Sequence, residues 1–372
     1  MKPNIWIFSL EPIETRYTAQ WHDHFPKMLK HKLGDRYTIT QIDGVQKNSQ
    51  LTPGAFLNFS DTNYWKSSQL CAFLEQHNQG KTTKDDQFIF TDAWNPIVIQ
   101  LKYMSDLLGF NWKIHALWHA GSYDPQDFLG RLIGHAPWVR HAEKSFYSAI
   151  DFNYFATNFH IEMFVRNLLN DGLMENPWLD EDVEDAVSAK IPSIIRSGWP
   201  MEYMPTLLHN FKQSSKRDLI VFPHRIAPEK QVDIFRDLAD NLPQYEFIVC
   251  QDQNLTKDQY HNILSEAKIV FSASLQETLG IGCYEGALLG AIPIVPDRLS
   301  YKEMYFDMFK YPSVWTESWD SYKVNKDQLC HFINITMQDY NNRLLELHKQ
   351  TQFLTQQFFS ADKLVDNILS LK

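Results

Sequence analysis

Residues 272 to 296 read SASLQETLGIGCYEGALLGAIPIVP, and this stretch decides the fold. An apolar strand ends near Ser274, the chain turns through LQETLG, and a helix is predicted to start near Ile281. A further apolar strand is predicted over Ala291–Pro296. This order of elements is typical of a parallel sheet covered by helices. Glu285 falls among small and apolar helix residues, where alanine or leucine is usual, and it is therefore a candidate functional residue.

The same alternation of strands and helices runs through the whole chain. In the first half the predicted strands are Asn4–Leu10, Tyr37–Ile42, Gln87–Asp92, Trp112–Gly121, Tyr154–Asn158 and Ile191–Trp199. In the second half they are Asp218–Arg225, Tyr245–Cys250, Lys268–Ser274 and Ala291–Pro296. Apolar spacing predicts helices between them, among others over Ile97–Leu108, His160–Leu169 and Lys230–Leu242. Between the halves, Pro200–Arg217 mixes prolines with polar residues and is the best linker candidate.

The pattern predicts an α/β fold of two doubly wound, Rossmann-like domains that face each other across a cleft. The expected limits are 1–205 for the N-terminal domain and 206–350 for the C-terminal domain. A C-terminal helix within 351–372 is expected to pack back on the N-terminal domain. Ligands of such sheets lie at the carboxyl ends of the strands, so the cleft is the expected site.

Composition argues against several classes of function. The net charge of −10 argues against broad nonspecific nucleic-acid binding, although a local basic groove around Arg131–Lys144 stays open. The four cysteines lack CxxC spacing, which favours free thiols in a reducing compartment. No apolar run approaches the roughly 18 residues of a membrane span, so we expect a cytoplasmic protein without an integral membrane segment. The acidic DED at Asp180 follows no apolar strand, and we expect no catalytic metal.

The opening stretch carries the first chemical signal. Gly280 and Gly282 would let the backbone approach a ligand, and the amides at the following helix start suit a phosphate. Glu277 precedes these amides and could reach past the phosphate. Glu285 lies on the same helix side as Ile281, and its carboxylate could accept two hydrogen bonds from a ribose. Alternatively, Glu277 caps the helix and Glu285 pairs with a basic neighbour.

A second signal is FPHRIAPEKQ, which follows the first strand of the second half. Arg225 and Lys230 would point at the strand-end crevice, where two cations fit a pyrophosphate. An ordinary surface pair is the alternative for an arginine and a lysine taken alone. The glutamates downstream favour the binding interpretation.

PHRIAPEK followed by ETLGIGCYE resembles the retaining, nucleotide-sugar-dependent glycosyltransferases of the GT-B fold, in particular glycosyltransferase family 4. That family has an arginine and a lysine, then two glutamates with seven residues between them. The resemblance implies that Arg225 and Lys230 bind the donor diphosphate. It implies that Glu277 contacts the donor sugar and that Glu285 contacts the ribose.

The resemblance also implies how the rest of the donor is held. The amides of Leu279, Gly280 and Ile281 would hold the phosphate, and the donor would be a UDP- or GDP-sugar with no further cofactor. The sequence departs from the family after its first strand, where SLEPIETRY lacks the glycines that many members carry.

Two further stretches follow strands of the first half. In HALWHAGSYDP, the resemblance favours contact of His119 with the donor sugar, although a structural histidine is equally plausible. Gly121 would allow a tight turn there on the donor-binding side, and Tyr123 would face the cleft on the acceptor side. In FTDAWNP, Asp92 could bind an acceptor hydroxyl and Trp94 could stack on a sugar or base. Alternatively, Asp92 caps the helix that starts near Pro96.

Together these features predict a metal-independent retaining glycosyltransferase. The acceptor hydroxyl would belong to a glycan or to a modified nucleic-acid base, either a hydroxymethylated DNA base of the phage type or a tRNA base. One alternative is a nucleotide-sugar epimerase of the same fold, with Asp92 and His119 as acid and base. Another is a non-catalytic, two-lobed protein that binds a sugar nucleotide.

Overall fold

The computed structural model describes residues 2–14, 16–47, 58–170, 193–211 and 215–371. The acidic stretch at Asp180 lies outside these residues. The chain divides into two compact units. The first unit consists of Met1–Ala156, His160–Pro200 and Ala361–Lys372, and the second of Thr157–Phe159 and Met201–Ser360.

The first unit is built on a six-stranded parallel sheet. Its strands are β1 (Asn4–Phe8), β2 (Thr38–Ile42), β3 (Gln87–Phe90), β4 (Lys113–Trp118), β5 (Phe152–Phe155) and β6 (Ser193–Arg196), in the order β2-β1-β3-β4-β5-β6. Every residue of β1 and β3 is buried. Burial on both faces explains why these strands are continuous apolar runs rather than alternating ones.

The second unit is built on a five-stranded parallel sheet. Its strands are β7 (Arg217–Phe222), β8 (Glu246–Val249), β9 (Ala267–Phe271), β10 (Ile292–Pro296) and β11 (Lys310–Tyr311), in the order β11-β10-β9-β7-β8. In each sheet the second strand lies on one side of the first, and the third strand lies on the other side. Each sheet therefore has a topological switch point, between β1 and β3 and between β7 and β9, where open α/β sheets bind ligands.

Helices connect the strands. They are α1 (Tyr17–Leu33), α2 (Phe59–Asn78), α3 (Ile97–Leu108), α4 (Phe128–Ile133), α5 (Pro137–Ala149), α6 (Asn158–Phe164), α7 (Met204–Leu207), α8 (Val232–Asn241), α9 (Lys257–Glu266), α10 (Ile281–Leu288), α11 (Tyr301–Met304), α12 (Trp319–Gln338), α13 (Leu344–Phe358) and α14 (Asp362–Ser370). Among the described residues, no helix is long and apolar enough to cross a membrane.

Helix α9 shows how local sequence sets a helix boundary near the candidate site. The Thr256 hydroxyl accepts a hydrogen bond from the Gln259 amide, and the Gln259 side chain accepts one from the Thr256 amide. This capping box satisfies two amides at the helix start. It fixes the position of Lys257, the first residue of α9.

Several helices differ from the sequence-based prediction. The predicted helix Lys230–Leu242 begins only at Val232, because Pro228–Lys230 forms a 3-10 turn and Gln231 has a positive φ of 54°. No element was predicted from the sequence in the segment that forms helices α4 and α5. Within α4, Gly130 permits close packing, because a Cβ there would lie 1.9 Å from the carbonyl oxygen of Asp124.

Candidate functional site

Lys230 and Glu277 meet at the switch point of the second unit. Lys230 follows β7 and Glu277 follows β9, and these two strands are neighbours in the sheet. Lys230 Nζ lies 3.2 Å from Glu277 Oε2, and it also donates to the carbonyl oxygen of Gln276. Burial would raise the pKa of Glu277, but the nearby positive charge, chiefly that of Lys230, and the hydrogen bonds from Lys230 and the Gly280 amide together outweigh burial and lower that pKa. The site therefore holds an ionised pair that is mostly shielded from water.

Arg225, the other predicted diphosphate ligand, lies on the same loop after β7. Its guanidinium forms an ion pair with Glu229, four positions further along the chain. The Glu229 side chain is fully buried, whereas the Arg225 side chain is 30% exposed. The structure thus gives both predicted cations a carboxylate partner, Glu229 for Arg225 and Glu277 for Lys230.

The turn before α10 has the backbone geometry that an anion site needs. Gly280 is the N-cap of α10 and has a positive φ of 77°, a conformation that favours glycine. A Cβ at this position would lie 2.8 Å from the Tyr301 ring. The Leu279 amide donates to Glu277 Oε1 at 3.4 Å, while Ile281 begins the helix half-buried. The carboxylate of Glu277 therefore lies beside the amides that were predicted to hold a phosphate.

Gly282 has a packing role that differs from its predicted one. A Cβ at Gly282 would lie 3.0 Å from the Pro223 side chain and 3.4 Å from the Tyr260 hydroxyl. The glycine therefore lets α10 approach the loop after β7. It does not leave open space for a ligand at this position.

Glu285 lies one helical turn after Ile281 and is only 2% exposed. Three side chains of α9 contact its carboxylate: Lys257 Nζ at 2.7 Å and His261 Nε2 at 3.2 Å from Oε1, and the Tyr260 hydroxyl at 2.8 Å from Oε2. Burial alone would raise the pKa of Glu285, but Lys257 and the His261 hydrogen bond hold it at about 2. Glu285 thus has the basic neighbour that was considered as the alternative to ribose binding.

His224 was missed by sequence reasoning. It directly precedes Arg225, is 8% exposed, and lies with its Nε2 atom 4.0 Å from Cys283 Sγ. Burial and, to a smaller extent, the Lys230 charge lower the pKa of His224 to about 3. The imidazole is therefore neutral. Its place directly after the apolar strand β7 was the signal that could have identified it.

In the first unit, His119 follows β4 and has a protein partner on both ring nitrogens. Nε2 lies 2.6 Å from the carbonyl oxygen of Thr91, which can only accept, so Nε2 carries a proton. Nδ1 lies 2.9 Å from the Tyr17 hydroxyl. Burial lowers the pKa of His119, so Nδ1 accepts from Tyr17 in the neutral ring. The Trp199 ring packs on this imidazole, with 4.2 Å between ring centroids.

Asp92 and Trp94 lie close together after β3. Asp92 Oδ1 accepts from the Trp94 amide at 3.1 Å, and Asp92 Oδ2 lies 3.4 Å from Lys66 Nζ. Asp92 therefore closes the turn before α3. The first amide of α3, that of Ile97, is instead bound by the side chain of Asn95 at 3.1 Å.

Glu143 on α5 joins two stretches that the sequence analysis treated separately. It is fully buried and accepts from Trp94 Nε1 at 3.0 Å and from the Ser122 amide and hydroxyl at 2.7 and 2.6 Å. Burial raises the pKa of Glu143, although the Ser122 hydrogen bonds oppose that rise. Gly121 makes room for this carboxylate, because a Cβ there would lie 2.7 Å from Glu143 Oε1. From the sequence, residues 131–144 were considered only as a local basic groove, and Glu143 was not singled out.

Tyr123 is part of the core of the first unit. It is 3% exposed, and its ring packs against Trp118 and Phe164. Its hydroxyl lies 2.7 Å from His160 Nε2. The structure therefore gives the Tyr123 hydroxyl a buried histidine as a partner. Among the described residues, no group of three or more His, Cys, Asp or Glu side chains could hold a metal ion.

Comparison with known proteins shows the fold of the chain. Neither a protein-family profile nor a curated protein sequence matches it. Sucrose-phosphate synthase from Thermosynechococcus elongatus is similar with a TM-score of 0.59 and 12% identity, over 99% of this chain and 98% of that one. The catalytic domain of starch synthase IV from Arabidopsis thaliana, bound to ADP and acarbose, has a TM-score of 0.59 and 12% identity, over 100% and 99%.

A UDP-forming α,α-trehalose-phosphate synthase from Burkholderia vietnamiensis is also similar, with a TM-score of 0.55 and 9% identity over 100% of this chain and 99% of that one. These identities are too low to carry a reaction from one protein to another, because one fold supports many functions. They do establish the architecture. The predicted fold class is confirmed: two α/β units, each with a parallel sheet and flanking helices, as in glycosyltransferases of the GT-B fold.

Proposed function

We propose that this chain is a glycosyltransferase that moves a sugar from a nucleotide-sugar donor to an acceptor hydroxyl, with retained configuration and without a metal. One observation carries the proposal. Lys230 and Glu277 form an ion pair at the β7–β9 switch point, beside the amide turn at Gly280. The fold shared with sucrose-phosphate, starch and trehalose-phosphate synthases supports it.

In this proposal the second unit stabilises the leaving diphosphate. Lys230 and Arg225 supply positive charge on the loop after β7, and the amides of Leu279, Gly280 and Ile281 supply hydrogen-bond donors. Such preorganised groups lower the barrier by stabilising the charge that develops on the departing phosphate. Binding of the diphosphate would draw Lys230 from Glu277 and leave this carboxylate to accept from the donor sugar.

The first unit would contribute the acceptor-side groups. His119 is neutral and bonded to Thr91 and Tyr17, which suits a role in holding the shape of the site rather than in proton transfer. Trp94, which is held by Glu143, would offer a ring face to a sugar or base. Asp92, whose Oδ2 atom lies 3.4 Å from Lys66 Nζ, would accept from the acceptor hydroxyl. We propose a glycan or a modified nucleic-acid base as the acceptor and a UDP- or GDP-sugar as the donor.

A panel of UDP-, GDP- and ADP-sugars in a thermal-shift assay tests the donor side. We expect the sugars of one nucleoside diphosphate to raise the melting temperature, since a ligand that binds the folded state stabilises it. Product analysis of the donor that binds then separates three functions. Nucleoside diphosphate released only with an acceptor supports the transferase, and a new nucleotide sugar from the donor alone indicates an epimerase. Binding without turnover of any acceptor tested indicates a two-lobed binding protein.

A further inference from the structure

The Glu285 carboxylate has little free hydrogen-bonding capacity. A carboxylate offers about four acceptor positions. Within the described part of the chain, Lys257 and His261 use both positions of Oε1, and Tyr260 uses one of Oε2. A ribose whose two hydroxyls both donate to Glu285 would need one more position than remains. The simple carboxylate–diol pairing expected from the sequence therefore does not fit this site as it stands.

The three partners of Glu285 differ in how they are held. His261 is 1% exposed and makes its contact from within the core. Lys257 is the first residue of α9, and its side chain is 19% exposed. An ammonium has three N–H donors, and in the described structure one of them bonds to Glu285. Lys257 therefore retains donor capacity on the solvent side of the carboxylate.

We propose that Lys257 is a specificity-determining residue that binds the ribose of the donor together with Glu285. One ribose hydroxyl donates to the open position on Glu285 Oε2. The other hydroxyl accepts from Lys257 Nζ, which lies 2.7 Å from Glu285 Oε1. The inference rests on the proposed function, since it assigns a group to the nucleoside end of the same donor site.

In this arrangement the α9 side chains that contact Glu285 have different roles. His261 holds the carboxylate from the buried side, and the half-buried Tyr260 donates to its Oε2 atom. Lys257 adds a donor beside it, so the site presents one acceptor and one donor to the diol rather than two acceptors. A pair of this kind distinguishes ribose from deoxyribose through two different contacts, and hydrogen bonds to charged groups are among the stronger ones.

The test begins with calorimetric titration of ADP, GDP and UDP into the protein. The affinity of the nucleotide that binds most tightly is then compared with that of its 2′,3′-dideoxy counterpart. In the unmodified protein we expect loss of both hydroxyls to weaken binding roughly 10- to 100-fold. In Lys257→Met we expect weaker binding of the ribonucleotide and little change for the dideoxynucleotide, so the ratio of the two affinities falls about tenfold. Lys257→Gln keeps an N–H donor without the charge and should restore part of that ratio.

Lys268→Met is the matched control. Lys268 is also in the second unit, its side chain is 24% exposed, and it pairs with Asp218 at 2.5 Å. In Lys268→Met the ratio of the ribonucleotide affinity to the dideoxynucleotide affinity should equal that of the unmodified protein. The role of Lys257 is overturned if the ratio of the two affinities is unchanged in both folded Lys257 variants, or if both nucleotides lose affinity equally. Either outcome leaves the proposed function intact. Failure of all three diphosphates to bind overturns the proposed function and this inference with it, so the two failures are distinguishable.

Discussion

The ammonium of Lys230 lies 3.2 Å from the carboxylate of Glu277, although 47 positions separate the two residues in the sequence. The contact arises because β7 and β9 are neighbours in the sheet and both loops leave the same edge. Only 7% of the Lys230 side chain is exposed. A charge in such surroundings is weakly screened, so it acts strongly on a phosphate that binds beside it.

Lys230→Ala should lower kcat roughly 10²- to 10³-fold, the loss typical when a preorganised transition-state contact is removed. Turnover with the donor found by thermal shift provides the measurement. Lys268→Ala is the control, since this lysine pairs with Asp218 at the amino-terminal ends of β9 and β7, opposite the strand ends that Lys230 and Glu277 follow. Normal turnover in a folded Lys230→Ala variant would contradict the proposed role.

Arg225→Ala should lower both turnover and stability, because buried Glu229 loses its guanidinium partner. We expect a loss of roughly 1–3 kcal/mol in the free energy of unfolding. In Arg225→Ala with Glu229→Gln, the buried charge is gone, so stability should recover while turnover stays low. Recovery of turnover in the double variant would mean that Arg225 acts only through Glu229.

Acid should destabilise the fold through Glu285. Its pKa is about 2 in the folded protein, against an ordinary value of 4.5. The unfolded chain therefore binds a proton first, and the contribution of Glu285 to stability is lost as the pH falls from about 4.5 toward about 2. Urea unfolding at several pH values should show that the free energy of unfolding depends less on pH in Glu285→Gln than in the unmodified protein. Glu346→Gln, which removes a half-buried carboxylate paired with the exposed Lys349, is the control.

His119 should stay neutral at pH values where an ordinary histidine is charged. Burial lowers its pKa below 6.5, whereas the hydrogen bond to Asp43 raises the pKa of His22. Nitrogen-15 spectra of the imidazoles near pH 6 should show a neutral ring for His119, protonated on Nε2. His22 in the same spectra should be mainly protonated, and a charged His119 there would contradict the assignment.

Glu143→Ala should destabilise the first unit, because Trp94 Nε1 and the Ser122 amide lose a buried acceptor. Each donor left without a partner costs about 1–3 kcal/mol. Glu143→Gln keeps an acceptor oxygen for both donors, and its amide can donate to the Ser122 hydroxyl, so its effect should be small. Urea unfolding of both variants checks this, and equal losses would show that charge rather than hydrogen bonding matters.

Much of the fold was predictable because its determinants are local. Apolar runs marked the strands, and helix α3 spans Ile97–Leu108 as predicted. Helix α10 begins at Ile281, as the glycine turn indicated. No helix was predicted for the segments of α4 and α5, and the tight approach of Gly130 in α4 to Asp124 depends on three-dimensional packing that a local pattern does not contain.

The partners of the candidate residues were less predictable. The sequence positions of Lys230 and Glu277 did not predict the distance between their side chains. Their contact depends on β9 pairing with β7 rather than with β8. Glu285 was recognised as unusual, but its partners lie on α9, a helix whose sequence indicated no function. Glu143 was missed altogether, since the burial of a helical glutamate depends on what packs over it.

The two sheets follow the same strand order through their first five strands. Asp92 and Glu277 therefore occupy topologically equivalent positions, each in the segment after the third strand of its sheet, and each has a lysine partner, at 3.4 and 3.2 Å. The lysines come from different places, Lys66 from a helix after the second strand and Lys230 from the loop after the first. One chain path thus recurs in both halves of the polypeptide, and the two halves reach the same carboxylate–lysine pairing by different routes. Grafting loops between equivalent strand ends is consequently a rational way to exchange properties between the halves.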